Sequence, residues 1–323
     1  MKRVSVIGAT GYAGSELVKL LAAKSDVKIS RLVSESHTGK VFSEVCGALR
    51  GVADIPLTPL DTDDIASNSD SVFLCLPHGT GMEQAAAFAE RGVKIFDLSA
   101  DFRMKDARLF ETVYDIPHRK PELLPFSAYG LAEFYEEEIK RAKIVGVPGC
   151  YPTSVLVPIL PLIKEKAVDT GYIIADCKSG ISGAGKKPTE ITHFCEVTVK
   201  AYAVFSHRHK FEIDDMICRY TGIPANVIFT PHYVPVKRGL LATIYTKSAL
   251  SKDELAGIWK EFFKDKKHVR ILNESPSMEN VQNTPFIDIA LFKKGDDLII
   301  ISAIDNLLKG AASQGVQCFD LCG

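Results

Sequence analysis

The sequence has no marked excess of charge, no long apolar run and no cysteine framework. It contains 39 lysine and arginine residues against 40 aspartate and glutamate residues, a formal net charge of −1. This balance argues against a general binder of nucleic acid, whose polyanionic backbone attracts basic surfaces. No apolar stretch approaches the roughly 20 residues of a membrane-spanning helix, and the first residues are typical of a strand, not of a leader peptide. We therefore expect a cytoplasmic protein without nucleic-acid or membrane partners.

The eight cysteines have no spacing typical of a disulfide scaffold in a chain of 323 residues. Most are expected to be buried structural thiols, including four in mostly apolar surroundings: Cys75, Cys177, Cys195 and Cys218. Cys318 and Cys322 lack a second Cys/His pair at zinc spacing. We interpret these two as packing on a helix face and expect no metal.

The first half of the chain alternates strand-like and helix-like segments. Strands are predicted at 2–7, 28–33, 71–76, 94–98 and 143–147, and helices at 15–23, 82–91 and 131–141. Strands connected through helices pair in parallel, and a parallel sheet is covered by helices on both faces. The pattern predicts an α/β fold with a Rossmann-type, doubly wound parallel sheet.

The second half has longer strand patterns that could pair antiparallel. They lie at 172–178, 226–233, 239–247, 286–293 and 297–304, with helices predicted at 189–197, 210–220 and 252–263. This alternation predicts an α+β domain that shapes the substrate pocket. The last segment, 306–322, has apolar positions at helical spacing, and we expect this helix to return to the first domain. The predicted domains are 1–149 with 306–323 for the dinucleotide, and 150–305 for catalysis.

A glycine-rich turn, Gly-Ala-Thr-Gly-Tyr-Ala-Gly, follows the first predicted strand and opens the first helix. In a dinucleotide-binding turn, glycines permit a tight bend, close approach to the pyrophosphate and close helix packing. The spacing is G-x-x-G-x-x-G, not the commoner G-x-G-x-x-G, and a turn without ligand is the alternative. We predict cofactor contacts from this turn by Gly8, Thr10, Gly11, Tyr12, Ala13 and Gly14.

The end of the second predicted strand bears on the choice of cofactor. The hydroxyls of Ser34 and Ser36 and the ammonium of Lys40 can hold a 2′-phosphate, which favours NADPH. Glu35 leaves NADH as an alternative cofactor, because an acidic residue at this point can bind the ribose hydroxyls.

A second glycine-rich segment, 180–187, nearly fits the phosphate loop of nucleotide hydrolases. Its last position is Lys187, so the hydroxyl that should hold magnesium is missing, and we reject ATP binding. The amides of this turn can still face phosphates or a nicotinamide ring, so Ser182 and Gly183 are predicted cofactor contacts.

Cys150 stands in Val-Pro-Gly-Cys-Tyr-Pro-Thr, between a short strand pattern and a helix pattern. A thiolate at a helix start is stabilised by the amide groups and by the positive end of the helix dipole. Together with a dinucleotide turn, this predicts a nucleophilic cysteine in thioester chemistry coupled to hydride transfer.

A His-Arg-His group followed by a carboxylate supplies the second catalytic candidate. His207 or His209 can take a proton from the cysteine and return one to the product, while Glu212 can fix the tautomer of the imidazole. The residues alone do not choose between the two histidines. The other histidines considered are interpreted as surface or structural groups: His37, His118, His193, His232 and His268.

Several ordered blocks together resemble the N-acetyl-γ-glutamyl-phosphate reductase family, which is related to aspartate-semialdehyde dehydrogenase. They are the glycine turn at 8–14, Leu-Pro-His-Gly at 76–79, Asp-Leu-Ser-Ala-Asp-Phe-Arg at 97–103, Tyr-Gly-Leu-Ala-Glu at 129–133, Pro-Gly-Cys-Tyr-Pro-Thr at 148–153, Ser-Gly-Ile-Ser-Gly-Ala-Gly at 179–185, His-Arg-His at 207–209 and Asp-Asn-Leu-Leu-Lys-Gly-Ala at 305–311. The resemblance runs nearly from end to end.

The resemblance implies NADPH-dependent reductive dephosphorylation of N-acetyl-glutamyl phosphate to the semialdehyde, through a thioester on Cys150. It also implies a homodimer or homotetramer, with dimerisation through the second domain. Pro77 and Asn306 are expected to contact the cofactor. Arg103 is the candidate for the substrate phosphate, with Lys178 and Arg208 as further anion ligands. The alternative for Arg103 is an exposed arginine at a helix start, paired with Asp101.

Two positions depart from the family pattern. Val147 stands where an asparagine commonly precedes Pro-Gly-Cys, which puts one polar contact near the nucleophile in doubt, and Gly315 stands where alanine is usual.

Three alternatives stay open: reduction of a related acyl phosphate, a silent cofactor-binding regulator, and a scaffold protein. The acyl phosphate could be a carrier-bound aminoadipyl phosphate or aspartyl phosphate. The Pro-Gly-Cys-Tyr-Pro-Thr block argues against aspartyl phosphate. Retention of the Cys/His set argues against the two non-catalytic alternatives.

Overall fold

The computed structural model describes residues 1–323 apart from the side chain of Ile191. The chain forms two compact units, Met1–Pro148 with Ala311–Gly323, and Gly149–Gly310. The sequence places these boundaries after residue 149 and before residue 306. Both observed boundaries differ from the predicted ones for local reasons. Gly149 belongs to the second unit because it caps the first helix of that unit, and Asn306 belongs there because it accepts the Gly239 amide.

The first unit is built on a seven-stranded sheet in which all neighbouring strands are parallel. Its strands are β1 (Lys2–Ile7), β2 (Val27–Val33), β3 (Leu57–Thr58), β4 (Ser71–Leu74), β5 (Lys94–Asp97), β6 (Ser127–Tyr129) and β7 (Ile144–Gly146). Their order across the sheet is β3-β2-β1-β4-β5-β7-β6. The order reverses between β1 and β4, and at such a point doubly wound sheets bind ligands beside the carboxyl ends of the strands.

Six helices connect these strands, which confirms the predicted doubly wound sheet. They are α1 (Tyr12–Ala22), α2 (Phe42–Val45), α3 (Thr62–Ser67), α4 (Met82–Glu90), α5 (Ala107–Tyr114) and α6 (Glu136–Arg141). The helix predicted from residue 131 begins only at Glu136. Three glutamates occupy its first turn, where the positive end of the helix dipole favours negative charge.

The second unit contains a seven-stranded mixed sheet and four helices. Its elements are α7 (Cys150–Lys164), β8 (Ile174–Gly180), β9 (Lys200–Ala201), α8 (Arg208–Thr221), β10 (Ile228–Val234), β11 (Leu240–Lys247), α9 (Lys252–Phe263), β12 (Val269–Ile271), α10 (Met278–Val281), β13 (Ile287–Lys294) and β14 (Asp297–Ile304). The strand order is β12-β13-β14-β11-β8-β10-β9. This confirms the α+β prediction.

The expectation of antiparallel pairing holds for only part of this sheet. β11 and β14 pair antiparallel over their whole length, as do β13 and β14. β8 and β10 are parallel, because the connection between them crosses through α8. β12, which the sequence did not reveal, is parallel to β13.

Helix α7 forms the core of the second unit despite its internal prolines. Pro158 has no N–H, so the carbonyl of Ser154 loses its helical partner. Ser302 of β14 replaces that partner by donating its hydroxyl to Ser154 O at 2.6 Å. Trp259 of α9 donates its indole N–H to Pro158 O at 2.8 Å, a buried bond that joins α9 to α7. Ser302 thereby satisfies the carbonyl that Pro158 leaves without a helical bond.

The helix predicted at 189–197 is wrong. Only a single 3-10 turn forms, at Glu190–Thr192, and Phe194 beyond it is 92% exposed. A short amphipathic segment is stable as a helix only when it buries an apolar face, and none of the side chains described in 189–197 is buried. Cys195 in this segment and Cys218 on α8 are exposed, so the expectation of buried thiols is also wrong for these two.

The C-terminal segment returns to the first unit, as predicted. A π-helical turn at Leu308–Ala312 leads into α11 (Ser313–Asp320). Cys318 is buried on α11 and donates its thiol to Gly130 O at 3.1 Å. Gln314 donates to the same carbonyl at 2.9 Å. Across residues 1–323, no described helix combines the length and the apolar character needed to cross a membrane.

Candidate functional site

The glycine turn after β1 requires glycine at two positions. Gly8 has φ of 79°, and a Cβ there would lie 2.3 Å from Cys75 O. A Cβ on Gly14 would lie 2.3 Å from Gly8 O. Any larger residue would separate the start of α1 from the carboxyl end of β1. The turn is therefore as tight as a dinucleotide-binding turn requires.

The start of α1 can accept an anion. Gly11 caps the helix without a side-chain hydrogen bond, and its first turn contains no acidic residue. A Cβ on Gly11 would meet only Gly8 O within 4 Å, at 3.5 Å, so this side of the turn is open. The amides of Tyr12 and Ala13 lie at a positive helix end beside that open space. These features fit the pyrophosphate of a dinucleotide.

The end of β2 carries a group of polar side chains beside this turn. Thr10 Oγ1 lies 2.9 Å from Ser34 Oγ, which connects the glycine turn to the end of β2. Ser36 and Lys40 follow on the exposed loop. The carboxylate of Glu35 accepts the amide of Leu60 at 3.0 Å. That bond ties Glu35 to the chain after β3, an arrangement that favours a phosphate over a ribose hydroxyl at this point.

Cys150 is the first residue of α7, and Gly149 caps this helix. The helix has 15 residues, and every residue from Tyr151 to Ile163 is buried. Pro152 has no N–H, and the amide of Thr153 bonds to Gly149 O at 3.0 Å. The remaining amides of the first turn belong to Cys150 and Tyr151. They lie at the positive end of the helix, where a thiolate or an oxyanion is stabilised.

Helix α8 packs against the start of α7. A Cβ on Gly149 would lie 2.4 Å from His209 Nε2, so the imidazole rests directly on this glycine. Glu212, one turn further along α8 and 1% exposed, accepts the Gly149 amide at 3.1 Å. His209 and Glu212 therefore both contact the residue that precedes Cys150.

His207 lies in an aromatic environment instead. It caps α8, with its Nδ1 accepting the His209 amide at 3.1 Å. Its ring lies within 5.5 Å of the ring centroids of Tyr151, Tyr202 and Phe229. Burial, and after it the charge of Arg208, lowers the pKa of His207 to about 4. His207 is thus a neutral ring near pH 7.

Gly310 belongs to this site although its type alone did not reveal it. A Cβ there would lie 2.6 Å from Cys150 Cβ and 3.1 Å from Cys150 Cα. The π-helical turn at Leu308–Ala312 brings the backbone to this close approach. The signal available in the sequence was its place in the Asp-Asn-Leu-Leu-Lys-Gly-Ala block.

The second glycine-rich turn is joined to the end of β14. Asn306, 3% exposed, accepts the Gly239 amide at 2.8 Å and donates to Ser182 Oγ at 3.0 Å. A Cβ on Gly183 would lie 3.7 Å from Asn306 Nδ2. The structure therefore brings the predicted residues Ser182, Gly183 and Asn306 together.

Arg103 is 5% exposed, so the exposed alternative for this residue is wrong. Its Nε donates to Val147 O at 2.7 Å, and its Nη2 donates to Leu98 O at 3.0 Å. The side chain of Val147 is fully buried. Arg103 thus fixes the chain shortly before Cys150 through a backbone carbonyl.

The rest of the 97–103 block is a buried polar network. Ser99 Oγ donates to Asp97 at 2.7 Å, and Asp101 accepts the Gly79 amide at 2.7 Å. Burial, followed by the charge of Asp101, raises the pKa of Asp97. The network orders the loop after β4, which contains the predicted cofactor contact Pro77, itself exposed.

The two other predicted anion ligands lie in the second unit. Lys178 on β8 forms an ion pair with Asp176 at 2.8 Å, and His232 Nδ1 lies 3.1 Å from the same carboxylate. Arg208 is exposed in the first turn of α8, between the two histidines.

Family models match both parts of the chain. The model for the semialdehyde dehydrogenase NAD binding domain matches residues 3–142, and the model for the dimerisation domain of the same family matches residues 150–306. These matches agree with a dinucleotide-binding first unit.

Relatives and solved structures agree with the family models. N-acetyl-gamma-glutamyl-phosphate reductase of Desulforapulum autotrophicum is 42% identical over 325 residues, covering 98% of this chain and 94% of the relative. The enzyme of the same name from Caldicellulosiruptor saccharolyticus is 44% identical over 325 residues, with the same coverage of 98% and 94%.

Among solved structures, aspartate semialdehyde dehydrogenase II of Vibrio cholerae, complexed with ASA, has a TM-score of 0.74 at 17% identity, covering 99% of this chain and 98% of that one. The aspartate semialdehyde dehydrogenase of Candida albicans, solved with NADP, has a TM-score of 0.73 at 15% identity, with coverage of 99% and 98%. At these identities the likeness is one of fold. By the identity and coverage of its relatives, this chain belongs to the N-acetyl-γ-glutamyl-phosphate reductases, within the semialdehyde dehydrogenase family.

Proposed function

We propose that this chain catalyses the NADPH-dependent reductive dephosphorylation of N-acetyl-L-glutamyl 5-phosphate to N-acetyl-L-glutamate 5-semialdehyde. The observation that carries the proposal is the setting of Cys150. It opens a buried helix, its preceding glycine lies against His209, and the amide of that glycine bonds to Glu212. The names of the relatives support this substrate.

Cys150 acts as the nucleophile. Its sulfur attacks the acyl carbon, a C–S bond forms, the bond from that carbon to the phosphate oxygen breaks, and inorganic phosphate leaves. When bound, NADPH supplies the hydride that reduces the thioester carbon. The resulting oxyanion expels the Cys150 thiolate and the aldehyde is released. The amides of Cys150 and Tyr151 are the proposed donors to the oxyanion.

His209 is the proposed acid and base. It takes the thiol proton of Cys150, gives it to the departing phosphate, and later returns a proton from solvent to the thiolate. Its contact with Gly149 supports this choice. His207 is the weaker candidate, because its Nδ1 caps α8 and its lowered pKa opposes uptake of a proton. Glu212 is proposed to orient the site through the Gly149 amide.

The cofactor is proposed to be NADPH. The glycine turn receives the pyrophosphate through Gly8, Gly11 and Gly14, with Thr10, Tyr12 and Ala13 beside them. Ser34, Ser36 and Lys40 then face the adenosine ribose and its phosphate, while Glu35 bonds to the Leu60 amide. Pro77, Ser182, Gly183 and Asn306 are proposed as further contacts.

Arg103, Lys178 and Arg208 are the proposed anion ligands for the substrate. Arg208 is exposed beside both histidines, which supports contact with a charged substrate group. Arg103 uses two donors on backbone carbonyls, so its proposed contribution includes fixing Val147 in front of the nucleophile.

A homodimer or homotetramer is proposed, assembled through the second unit. The family model for that unit is named a dimerisation domain. Large apolar side chains are exposed there, among them Phe194 at 92% and Phe205 at 67%, a surface that association would cover. Light scattering coupled to gel filtration tests the assembly. We also propose that the enzyme works in the cytoplasm, where thiols are kept reduced and the eight cysteines need no disulfide partners.

The reverse reaction tests the proposed function. Phosphate-dependent oxidation of N-acetylglutamate semialdehyde with NADP⁺, followed at the nicotinamide absorbance, should be lost in Cys150→Ser and retained in Cys218→Ser, which alters an exposed thiol. Full activity of Cys150→Ser would overturn the thioester mechanism. Activity only with aspartate semialdehyde, or with the semialdehyde of a carrier-bound aminoadipate, would assign another acyl phosphate. Cofactor binding without any turnover would indicate a regulator.

A further inference from the structure

A hydrogen-bond chain of four side chains lies at the carboxyl end of β2. Thr10 Oγ1 lies 2.9 Å from Ser34 Oγ, and Ser36 Oγ lies 2.9 Å from His37 Nδ1. Ser34 Oγ joins the two pairs, 3.4 Å from His37 Nδ1 and 3.5 Å from Ser36 Oγ. The chain runs from the glycine turn to the loop after β2. In doubly wound domains this place adjoins the adenosine ribose of a bound dinucleotide.

We propose that His37 is a specificity-determining residue for the cofactor, whose ring, with the hydroxyls bonded to it, receives the adenosine 2′-phosphate that distinguishes NADPH from NADH. The inference rests on the proposed function, because it assumes that a dinucleotide binds the glycine turn. It adds a ligand that the motif-based interpretation set aside as a surface or structural histidine.

The hydrogen-bonding chemistry of the chain favours a phosphate. A phosphate offers only acceptors, whereas each hydroxyl has one proton to give. His37 donates through Nε2 in one tautomer, where a phosphate oxygen can accept, and through Nδ1 in the other, where Ser36 Oγ accepts. The hydroxyl proton of Ser36 can then point towards a phosphate oxygen. A ribose hydroxyl, by contrast, needs an acceptor and gains little from such a set of donors.

The charged groups around His37 also favour binding of a phosphate. Glu35, on the same loop, is bonded to the Leu60 amide at 3.0 Å. Asp61, on the segment after β3 that packs against this loop, caps α3 by accepting the amides of Asp63 and Asp64. Lys40, on the loop of His37, is exposed and adds a positive charge. Both acidic groups accept backbone amides, while the imidazole of His37 is half-buried and the ammonium of Lys40 is exposed on the same loop.

The experiment measures binding directly, by calorimetry of the full chain with NADPH, NADH, 2′,5′-ADP and 5′-AMP. His37→Gln should raise the dissociation constants of NADPH and 2′,5′-ADP by about tenfold or more, because one charge-assisted hydrogen bond to the phosphate is lost. The dissociation constants of NADH and 5′-AMP should change by less than about twofold. Ser36→Ala should show the same selective loss. His193→Gln, which changes an exposed histidine of the second unit, is the matched control.

The outcomes separate the inference from the proposed function. Tight NADPH binding by the unchanged chain, with no selective loss in His37→Gln and Ser36→Ala, would overturn the inference alone. An equal loss for NADPH and NADH would also overturn it, since that result indicates general damage to the loop. Failure of the unchanged chain to bind either dinucleotide would overturn both the inference and the proposed function.

Discussion

The imidazole of His209 rests on Gly149 so closely that a Cβ at this glycine would lie 2.4 Å from Nε2. Gly149 caps α7 and immediately precedes Cys150. Glu212, on the same helix as His209, holds the Gly149 amide at 3.1 Å. Helix α8 therefore fixes the backbone in front of Cys150 and brings to the same point the imidazole that we propose as the acid and base.

Replacing Gly149 by alanine should lower kcat by about a hundredfold, because the added methyl must displace the His209 ring and a shift of about 1 Å at a reacting group costs that much. The measurement is steady-state kinetics, with circular dichroism to check folding. Gly257→Ala in α9 is the control, since a Cβ there meets nothing within 4 Å. A Gly149→Ala enzyme with unchanged kcat would contradict a role for this contact.

The two histidines should differ in their kinetic effect. His209→Gln should reduce kcat by about a hundredfold to ten-thousandfold, the usual contribution of a general acid and base. It should also remove one limb of the pH profile of kcat. The His207→Gln enzyme should keep that limb of the pH profile, and its kcat should fall by less than about tenfold. The reverse result would assign the proton transfers to His207.

Burial of His207 should make the protein less stable in mild acid. Its pKa is lowered from 6.5 to about 4, so above pH 6.5 the ring is neutral in both the folded and the unfolded chain. As the pH falls through this range, the unfolded chain takes up a proton that the folded chain resists. The free energy of unfolding should drop by up to about 3 kcal/mol from this group between pH 6.5 and pH 4.

The measurement for His207 is denaturant unfolding of the unchanged chain and of His207→Gln across this pH range. The difference between the two free energies of unfolding should shrink as the pH falls. If the free energies of unfolding of the two proteins change in parallel with pH, His207 does not contribute to the acid sensitivity.

Gly315→Ala should stabilise the protein. The glycine lies inside α11, and an added Cβ would be 3.5 Å from Phe73, 3.6 Å from Val147 and 3.7 Å from Leu98, which are ordinary contact distances. Alanine in a helix interior is favoured over glycine by about 0.5–1 kcal/mol. The melting temperature should therefore rise. A fall would mean that these neighbours cannot accept a methyl group.

Ser302→Ala should destabilise the protein by about 1–3 kcal/mol, because the buried carbonyl of Ser154 then loses its hydrogen bond. The Ser302 hydroxyl donates to Ser154 O at 2.6 Å and replaces the backbone hydrogen bond that Pro158, which has no N–H, cannot donate. Ser206→Ala, on an exposed loop, is the control and should change the free energy of unfolding by less than about 0.5 kcal/mol. Equal effects of the two variants would rule out this explanation for the prolines in α7.

Local patterns identified five of the seven strands of the first unit and the start of α7, because these depend on residues close in sequence, but they missed the short strands β3 and β6. β1 was predicted with its observed bounds, Lys2–Ile7, since its apolar residues have few alternatives to a buried strand. The segment around Phe194 was mispredicted as a helix because its apolar spacing says nothing about whether a partner face exists. The parallel pairing of β8 and β10 depends on the crossover through α8, a relationship between distant segments.

Neighbouring residues alone indicate that Cys150 begins a helix after a strand and that a glycine turn suited to a dinucleotide follows the first strand, because turns and helix starts depend on residues adjacent in the chain. The folded chain is needed to show that His209 lies on Gly149, while His207 lies among aromatic rings that lower its pKa by burial. It is also needed to show that Arg103 is buried against Val147 O and that Gly310 contacts Cys150. These outcomes depend on how distant segments pack, and packing sets the distance and desolvation that local residue types leave open.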